Sequence, residues 1–238
     1  MNLYREKLPR TAAAVIALAD TTHQTTRALA ATAHAAAGLE RSFKENPADY
    51  ELAWRTARAF VTIADSLVDR NHRERFAKEA SRFAKLATKI DPERPEGYYF
   101  SAASAGLVAE SQLAPGKSFQ EAVEKPALLL VEKSPGYEAG GGLRILGALY
   151  TKAPTWPVGV GDLDEGISLL ERAVADYPTH PLNHLFLAEA YAKVNRREDA
   201  VIRLRTVLRF PPVGEWGLIG RKYREQARQM LQDLSINP

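Results

Sequence analysis

The residues of this chain best suited to chemistry crowd into one stretch, Gly140-Gly-Gly-Leu-Arg144-Ile-Leu-Gly147-Ala-Leu-Tyr150-Thr-Lys-Ala-Pro-Thr-Trp156-Pro-Val-Gly159-Val-Gly161-Asp162. Three glycines ahead of a helix resemble a phosphate cradle, because free backbone N–H groups and the helix dipole attract anions. Yet no strand pattern precedes them, no Lys-Ser/Thr pair follows as in a P-loop, and no G-x-G-x-x-G occurs. Gly140, Gly141 and Gly142 are therefore expected to allow tight backbone packing at a helix start, with Gly147, Gly159 and Gly161 shaping the backbone further on. Arg144 could clamp a carboxylate bidentately beside an apolar groove; a bridge to Asp162, or to backbone carbonyls of the following loop, is the first expectation. Tyr150 lies almost two helical turns beyond it. Trp156 sits in a loop stiffened by Pro154 and Pro157 and loosened by glycines. Its large amphipathic ring either folds inward as a plug or is presented to a ligand or partner.

His180 and His184 have the spacing of a metal-chelating pair on one helix face. Pro181, however, puts His180 at or before the helix start, and no acidic residue lies between them as in H-E-x-x-H. Capping or surface polarity is the expected role, with Asn183 tying the helix start to a loop, and no metal or other cofactor is expected. His23, His34 and His72 stand alone in polar contexts. The Asp69–Phe76 stretch and the cluster Arg196, Arg197, Arg203, Arg205 and Arg209 read as solvated helix faces; the second could also meet an acidic partner. No Ser–His–Asp pattern, G-x-S-x-G or nucleotide motif is present. The absence of cysteine removes disulfides, thiolate zinc sites, iron–sulfur clusters and a thiol nucleophile. Nothing in the sequence supports catalysis.

The elements that must position these residues are helices. Ala, Leu, Glu, Arg and Lys dominate, and runs of alternating β-branched and aromatic residues are missing. Asn46-Pro47 and Asp91-Pro92 predict helix starts with proline in the first turn. Ser118–Glu121, Asp162–Glu165 and Asn195–Glu198 read as capping boxes or close variants. The 32 basic and 29 acidic residues nearly cancel, which argues against a nucleic-acid partner. The longest apolar stretch, Ala12–Ala19, is far short of the roughly 20 residues of a membrane span. With Arg5, Lys7 and Arg10 before it, this stretch faintly resembles a secretory signal. The helical pattern runs on past it, however, so a cytoplasmic protein is the expectation and a periplasmic one the alternative.

Those helices repeat. Pro47, Pro92, Pro135, Pro178 and Pro212 are separated by 45, 43, 43 and 34 residues. A tetratricopeptide repeat (TPR) is a 34-residue helix–turn–helix with small or aromatic residues at set positions. Counted from Pro181, Leu187, Ala188, Tyr191, Ala200, Leu204 and Pro212 fall at its positions 7, 8, 11, 20, 24 and 32. Leu146, Gly147 and Tyr150 match the same early positions of another unit. The longer spacings require insertions, placed at Leu113–Lys117 and Ala153–Gly161. The expected fold is all-α: a TPR-like helix–turn–helix array, or α-solenoid, forming one domain over residues 1–238. Its parts are an alanine-rich helix or helix pair within 1–45, broken near Asp20-Thr21-Thr22 and stopped by Gly38; repeats over 46–212; and a closing helix within 213–238, from about Trp216 to Leu234.

The segments 46–60, 89–110, 140–162 and 180–191 together resemble the T component of TRAP-type solute transporters, with the glycine–arginine–LG–x–LY–x–x–AP stretch the most specific part. The resemblance implies a helical array that docks a periplasmic solute-binding subunit, sometimes as a trimer, with a cleft suited to apolar organic ligands. The family's lipobox cysteine is missing here. The reading that follows is a non-catalytic binding protein or scaffold that docks a protein partner, with a small apolar ligand as a further expectation. The periplasmic T component is the alternative, and a metal-dependent enzyme the least favoured. Trp156, Arg144, Tyr150, Tyr98, Tyr99 and Asn183 are the expected contact residues, and the alanine-rich segment offers a face for a homo-oligomer.

Overall fold

A computed structural model of the chain describes residues 8–112 and 116–236. Among them are eleven α-helices and no strand beyond an isolated bridge between Thr155 and Gly161. The chain divides into two compact units, Met1–Ala114 with Pro212–Ile219, and Pro115–Pro211 with Gly220–Pro238.

The first unit holds α1 (Ala12–Thr25), α2 (Leu29–Glu45), α3 (Tyr50–Ser66), α4 (Arg70–Ile90) and α5 (Pro95–Ser111), with a short 3₁₀ turn at Gly214–Trp216 against α1. Each helix packs on the next in chain order. On α3, Leu52, Ala53, Thr56, Ala57, Phe60, Ile63 and Ala64 are buried at i, i+3 and i+4 spacing, the pattern of a helix with one apolar side. Phe83 of α4 meets Phe43 edge-on at 5.4 Å and stacks with Phe60 at 5.9 Å, while alanines 80, 84 and 87 let the backbones close in.

The N-terminal segment is a helix pair, but its break lies at Thr26–Ala28, not at Asp20–Thr22. Thr26 leaves the helix with ψ 147°, and its hydroxyl accepts from the Ala28 N–H at 3.2 Å, a local bond that competes with the helical one. Gly38 does not stop α2. It lies inside the helix, where a Cβ would come 3.3 Å from Val15 of α1, so its role is close approach.

The second unit contains α6 (Lys117–Lys133), α7 (Gly141–Lys152), α8 (Leu163–Asp176), α9 (Pro181–Lys193), α10 (Arg197–Arg209) and α11 (Gly220–Ile236), again neighbours in chain order. The repeat register read from Pro181 is physical: Leu187, Ala188, Tyr191, Ala200 and Leu204 are all buried where α9 meets its neighbours. Gly147 and Gly166 bring α7 and α8 together, since a Cβ on Gly147 would lie 2.9 Å from the Gly166 carbonyl.

Several predicted helix starts shift by a few residues. Asn46 ends α2, its amide donating to Ser42, and Asp49 caps α3. Asp91 accepts from Glu93 N–H in a turn, and the proline in the first turn of α5 is Pro95. Gly116, not Ser118, precedes α6, and Arg196 rather than Asn195 precedes α10. Trp216 lies in the 3₁₀ turn, and the closing helix starts at Gly220. Asp162 does cap α8, accepting from Glu165 N–H at 3.0 Å. The Ala153–Gly161 insertion is the α7–α8 loop. In the other insertion, residues 113–115 lie outside the described residues, as do Arg5 and Lys7.

Candidate functional site

The 153–162 loop is long but closely tethered. Gly161 N–H donates to Pro154 O at 2.8 Å, Asp162 N–H to Tyr150 O at 3.1 Å, and Val158 and Gly159 N–H both to Thr155 O at 3.1 Å. From α6, the buried Gln120 side chain accepts from Val160 N–H at 2.9 Å. Gly159 is needed for this closure, because a Cβ there would sit 2.5 Å from both Gln120 and Pro154 O. Gly161 likewise packs against the Ala153 and Pro154 carbonyls.

This tethering holds apolar side chains outward. Trp156 is 85% exposed and Val158 69%, while Leu128 on α6 is 48% exposed. The plug alternative for Trp156 is thereby overturned. Beneath the ring lies a depression of about 430 Å³ bounded by Tyr150, Trp156, Pro157 and Val160, with Glu124, Asp162 and Glu165 among its walls. A second hollow of about 390 Å³, formed by Glu121, Glu124, Lys125, Leu128 and Leu129, shares Glu124 with the first. Together they make a groove along α6 and the loop. The Tyr150 hydroxyl donates to Glu124 at 2.8 Å. Burial, that bond and the nearby Glu165 and Asp162 charges push the phenol well above its usual value, so it stays protonated and donating.

Arg144 and Asn183 are not surface contacts. Arg144 is 2% exposed and Asn183 fully buried. The turn before α7 runs through three residues of positive φ, Glu138 and Ala139 at 50° and Gly140 at 77°. A left-handed conformation costs non-glycine residues about 1–2 kcal/mol each, so something must hold it. Arg144 Nη1 donates to the Glu138 carbonyl at 3.1 Å and to Asn183 Oδ1 at 2.9 Å. Asn183 Nδ2 donates to Ala139, Ala173 and Tyr177 carbonyls at 3.0–3.1 Å. The expected bridge from Arg144 to backbone carbonyls exists, but it reaches the turn before α7, not the loop after it. Gly140 is forced there twice over, by φ and because a Cβ would lie 2.6 Å from the Tyr177 ring. Gly141 and Gly142 open α7, and Gly142 is pressed against α6, where a Cβ would come 2.7 Å from Val131. The triple glycine is thus a packing device.

Tyr98 and Tyr99 belong to the first unit, the other expected contact residues to the second. Tyr98 is buried, its hydroxyl donating to Pro92 O at 2.9 Å, and Tyr99 packs edge-on against Phe100. That unit also carries a charged network the sequence reading missed. Arg55 and Arg58 both bind Asp20 and flank the Trp54 ring at 4.2 and 4.9 Å, and Arg94 joins Glu51 to Glu96. Against the burial that would raise it, hydrogen bonds from Arg94, Arg55 and Trp54 hold the Glu51 carboxyl down at about 2.

His180 and His184 are structural neighbours of the Asn183 joint. Burial, then the Arg144 and His184 charges, hold His180 down at about 2, and His184 Nε2 donates to Pro178 O at 2.7 Å. No group of His, Asp and Glu among the described residues is arranged to hold a metal. Gln120, Glu124, Glu165 and Leu128 were missed by the sequence reading. The available signal was the i, i+4, i+8 line of 120, 124 and 128 on α6.

Paired helices in chain order, repeat residues at their crossings and an outward-facing loop define an all-α protein of the TPR-like helical-repeat class. The comparisons agree. Residues 158–214 match the tetratricopeptide repeat model, and residues 15–126 match the model described as Regulator of microtubule dynamics protein 1-3. In structure the chain is similar to a thermophilic TPR protein of Thermus thermophilus, with TM-score 0.68, 20% identity, and 92% of this chain and 97% of that one covered. It is also similar to the MamA protein, with TM-score 0.53, 14% identity, and 90% and 92% covered. No curated protein sequence matches it. Among the described residues, no helix is long and apolar enough to cross a membrane.

Proposed function

We propose that this protein is a non-catalytic docking module that binds a protein partner through the groove between α6 and the 153–162 loop. The observation that carries the reading is Trp156, an indole 85% exposed on a loop whose backbone is tied down at five N–H groups. Exposed tryptophans on ordered supports are what binding hot spots are made of, because little side-chain freedom is lost on contact. Tyr150 forms the floor of the groove. Arg144 and Asn183 act from behind as positioning residues that hold the start of α7, and Tyr98 and Tyr99 pack within the first unit.

The test is affinity purification from the native host with the wild-type chain and with Trp156→Ala, followed by mass spectrometry. A partner retained by the wild type and lost by the variant, with helicity near normal, is the expected result. An identical set of captured proteins defeats the reading. The transporter alternative rests on the resemblance of segments 46–60, 89–110, 140–162 and 180–191, of which 140–162 is the most specific. It predicts a TRAP permease among the neighbouring genes, and it places the protein in the periplasm, whereas the docking-module reading places it in the cytoplasm.

A further inference from the structure

The charge around the groove narrows what can occupy it. The chain as a whole has a net charge of only +3, yet Glu124, Asp162 and Glu165 wall the depression under Trp156, and Glu121 extends the acidic side along α6. Glu124 accepts from the Tyr150 hydroxyl and Asp162 from a backbone N–H; among the described residues, no cation is paired with Glu124, Asp162 or Glu165. Among the described residues that line the two hollows, Lys125 is the single cation, and it stands at the second one. Glu124, Asp162 and Glu165 thus put negative charge beside an otherwise apolar surface, and an incoming cation meets complementary charge there. They do not converge as metal ligands. Two hollows of about 430 and 390 Å³ sharing one glutamate suit an elongated occupant better than a compact one.

From this, and resting on the docking role above, we infer that the groove takes a cationic segment of another protein. One apolar side chain would seat against Tyr150 and Trp156, and Lys or Arg on either side would meet Glu124, Asp162 and Glu165. A guanidinium in that position could also lie over the Trp156 ring.

The experiment is selection of a phage-displayed random 16-residue peptide library on the full chain, with depletion on Trp156→Ala. Trp156-dependent peptides that combine an apolar anchor with net positive charge are the expected result. Their affinity should fall at least about tenfold on Glu124→Gln/Asp162→Asn/Glu165→Gln, and fall again as salt is raised, since both changes weaken ion pairing. The three substitutions are isosteric, and Asn still caps a helix, so normal thermal unfolding of the variant is the control. Trp156-dependent peptides that are neutral or acidic would overturn the inference and leave the docking role standing. Selection of no Trp156-dependent peptide would count against the docking role itself. Sedimentation that shows a Trp156-dependent dimer would also overturn the inference, by making a second copy of this chain the occupant.

Discussion

Removing the Asn183 side chain offers the sharpest test of how this chain holds its second unit. Asn183 Oδ1 accepts from the Arg144 guanidinium at 2.9 Å, and its amide reaches three carbonyls, those of Ala139, Ala173 and Tyr177. These partners belong to the turn before α7, to α8 and to the turn before α9, so a single side chain ties three pieces of backbone. The three carbonyls are not stranded by Asn183→Ala. Ala139 keeps a long contact from Arg144 at 3.4 Å, Ala173 keeps the Tyr177 N–H at 3.0 Å, and Tyr177 keeps the His180 N–H at 3.4 Å. An amide has two N–H groups, so the neutral loss is about 2 kcal/mol, at roughly 1 kcal/mol per bond. Losing a buried acceptor from a charged donor adds about 1.5–3 kcal/mol. The sum, about 3.5–5 kcal/mol, is a large share of the stability of a domain. Hydrogen exchange with mass spectrometry reads it directly: amides of α7, α8 and α9 should exchange at least about 100-fold faster, the factor that corresponds to about 2.7 kcal/mol. The exposed Asn71→Ala on α4 should stay within about 0.5 kcal/mol of wild type. Acceleration below about threefold in Asn183→Ala would refute the idea that this joint holds the left-handed turn.

Other outcomes follow from the same geometry. Trp156→Ala should leave unfolding within about 0.5 kcal/mol of wild type, because its ring has little to lose on exposure; a larger loss by urea titration would mean that the ring is part of the fold. Gly147→Ala should destabilise by about 1–3 kcal/mol, since its Cβ would meet Leu170 at 2.5 Å. Gly106→Ala, with open space around it in α5, should instead stabilise by about 0.5–1 kcal/mol in the same titration. His23 is held down at about 4, mainly by burial and then by the Arg58 charge, against the opposing pull of Asp20. Its folded value lies below the unfolded 6.5, so the neutral form belongs to the folded state. That contribution is complete above pH 6.5 and is lost as the pH falls toward 4. Urea titrations of the full chain at pH 7 and pH 4.5 should show the loss, and His23→Gln should reduce the difference. An unchanged pH dependence in the variant would show that His23 is not its source.

What the sequence determined by itself is the local grammar. Helix type follows from apolar periodicity and composition, and the pairing of helices follows from small residues at fixed repeat positions. Ala188 with Ala200, and Gly147 ahead of Tyr150, mark where two backbones can approach, and those marks survive in a linear string. The loop at 153–162 was legible too, because its prolines and glycines cannot continue a helix. Tertiary structure alone decided which way side chains face once the helices meet. Arg144 and Trp156 both looked like contact residues on a helix and its following loop. A left-handed turn six residues upstream and Asn183 on a different helix bury the first. Gln120, reaching across from α6, closes the loop and leaves the second in solvent. Such choices depend on pairs 39 and 40 residues apart in the chain, and nothing in the local spacing of either residue encodes its distant partner. The acidic lining of the groove has the same origin: Glu124 and Glu165 are ordinary helix-surface charges until packing brings both to the hollow that Tyr150 lines.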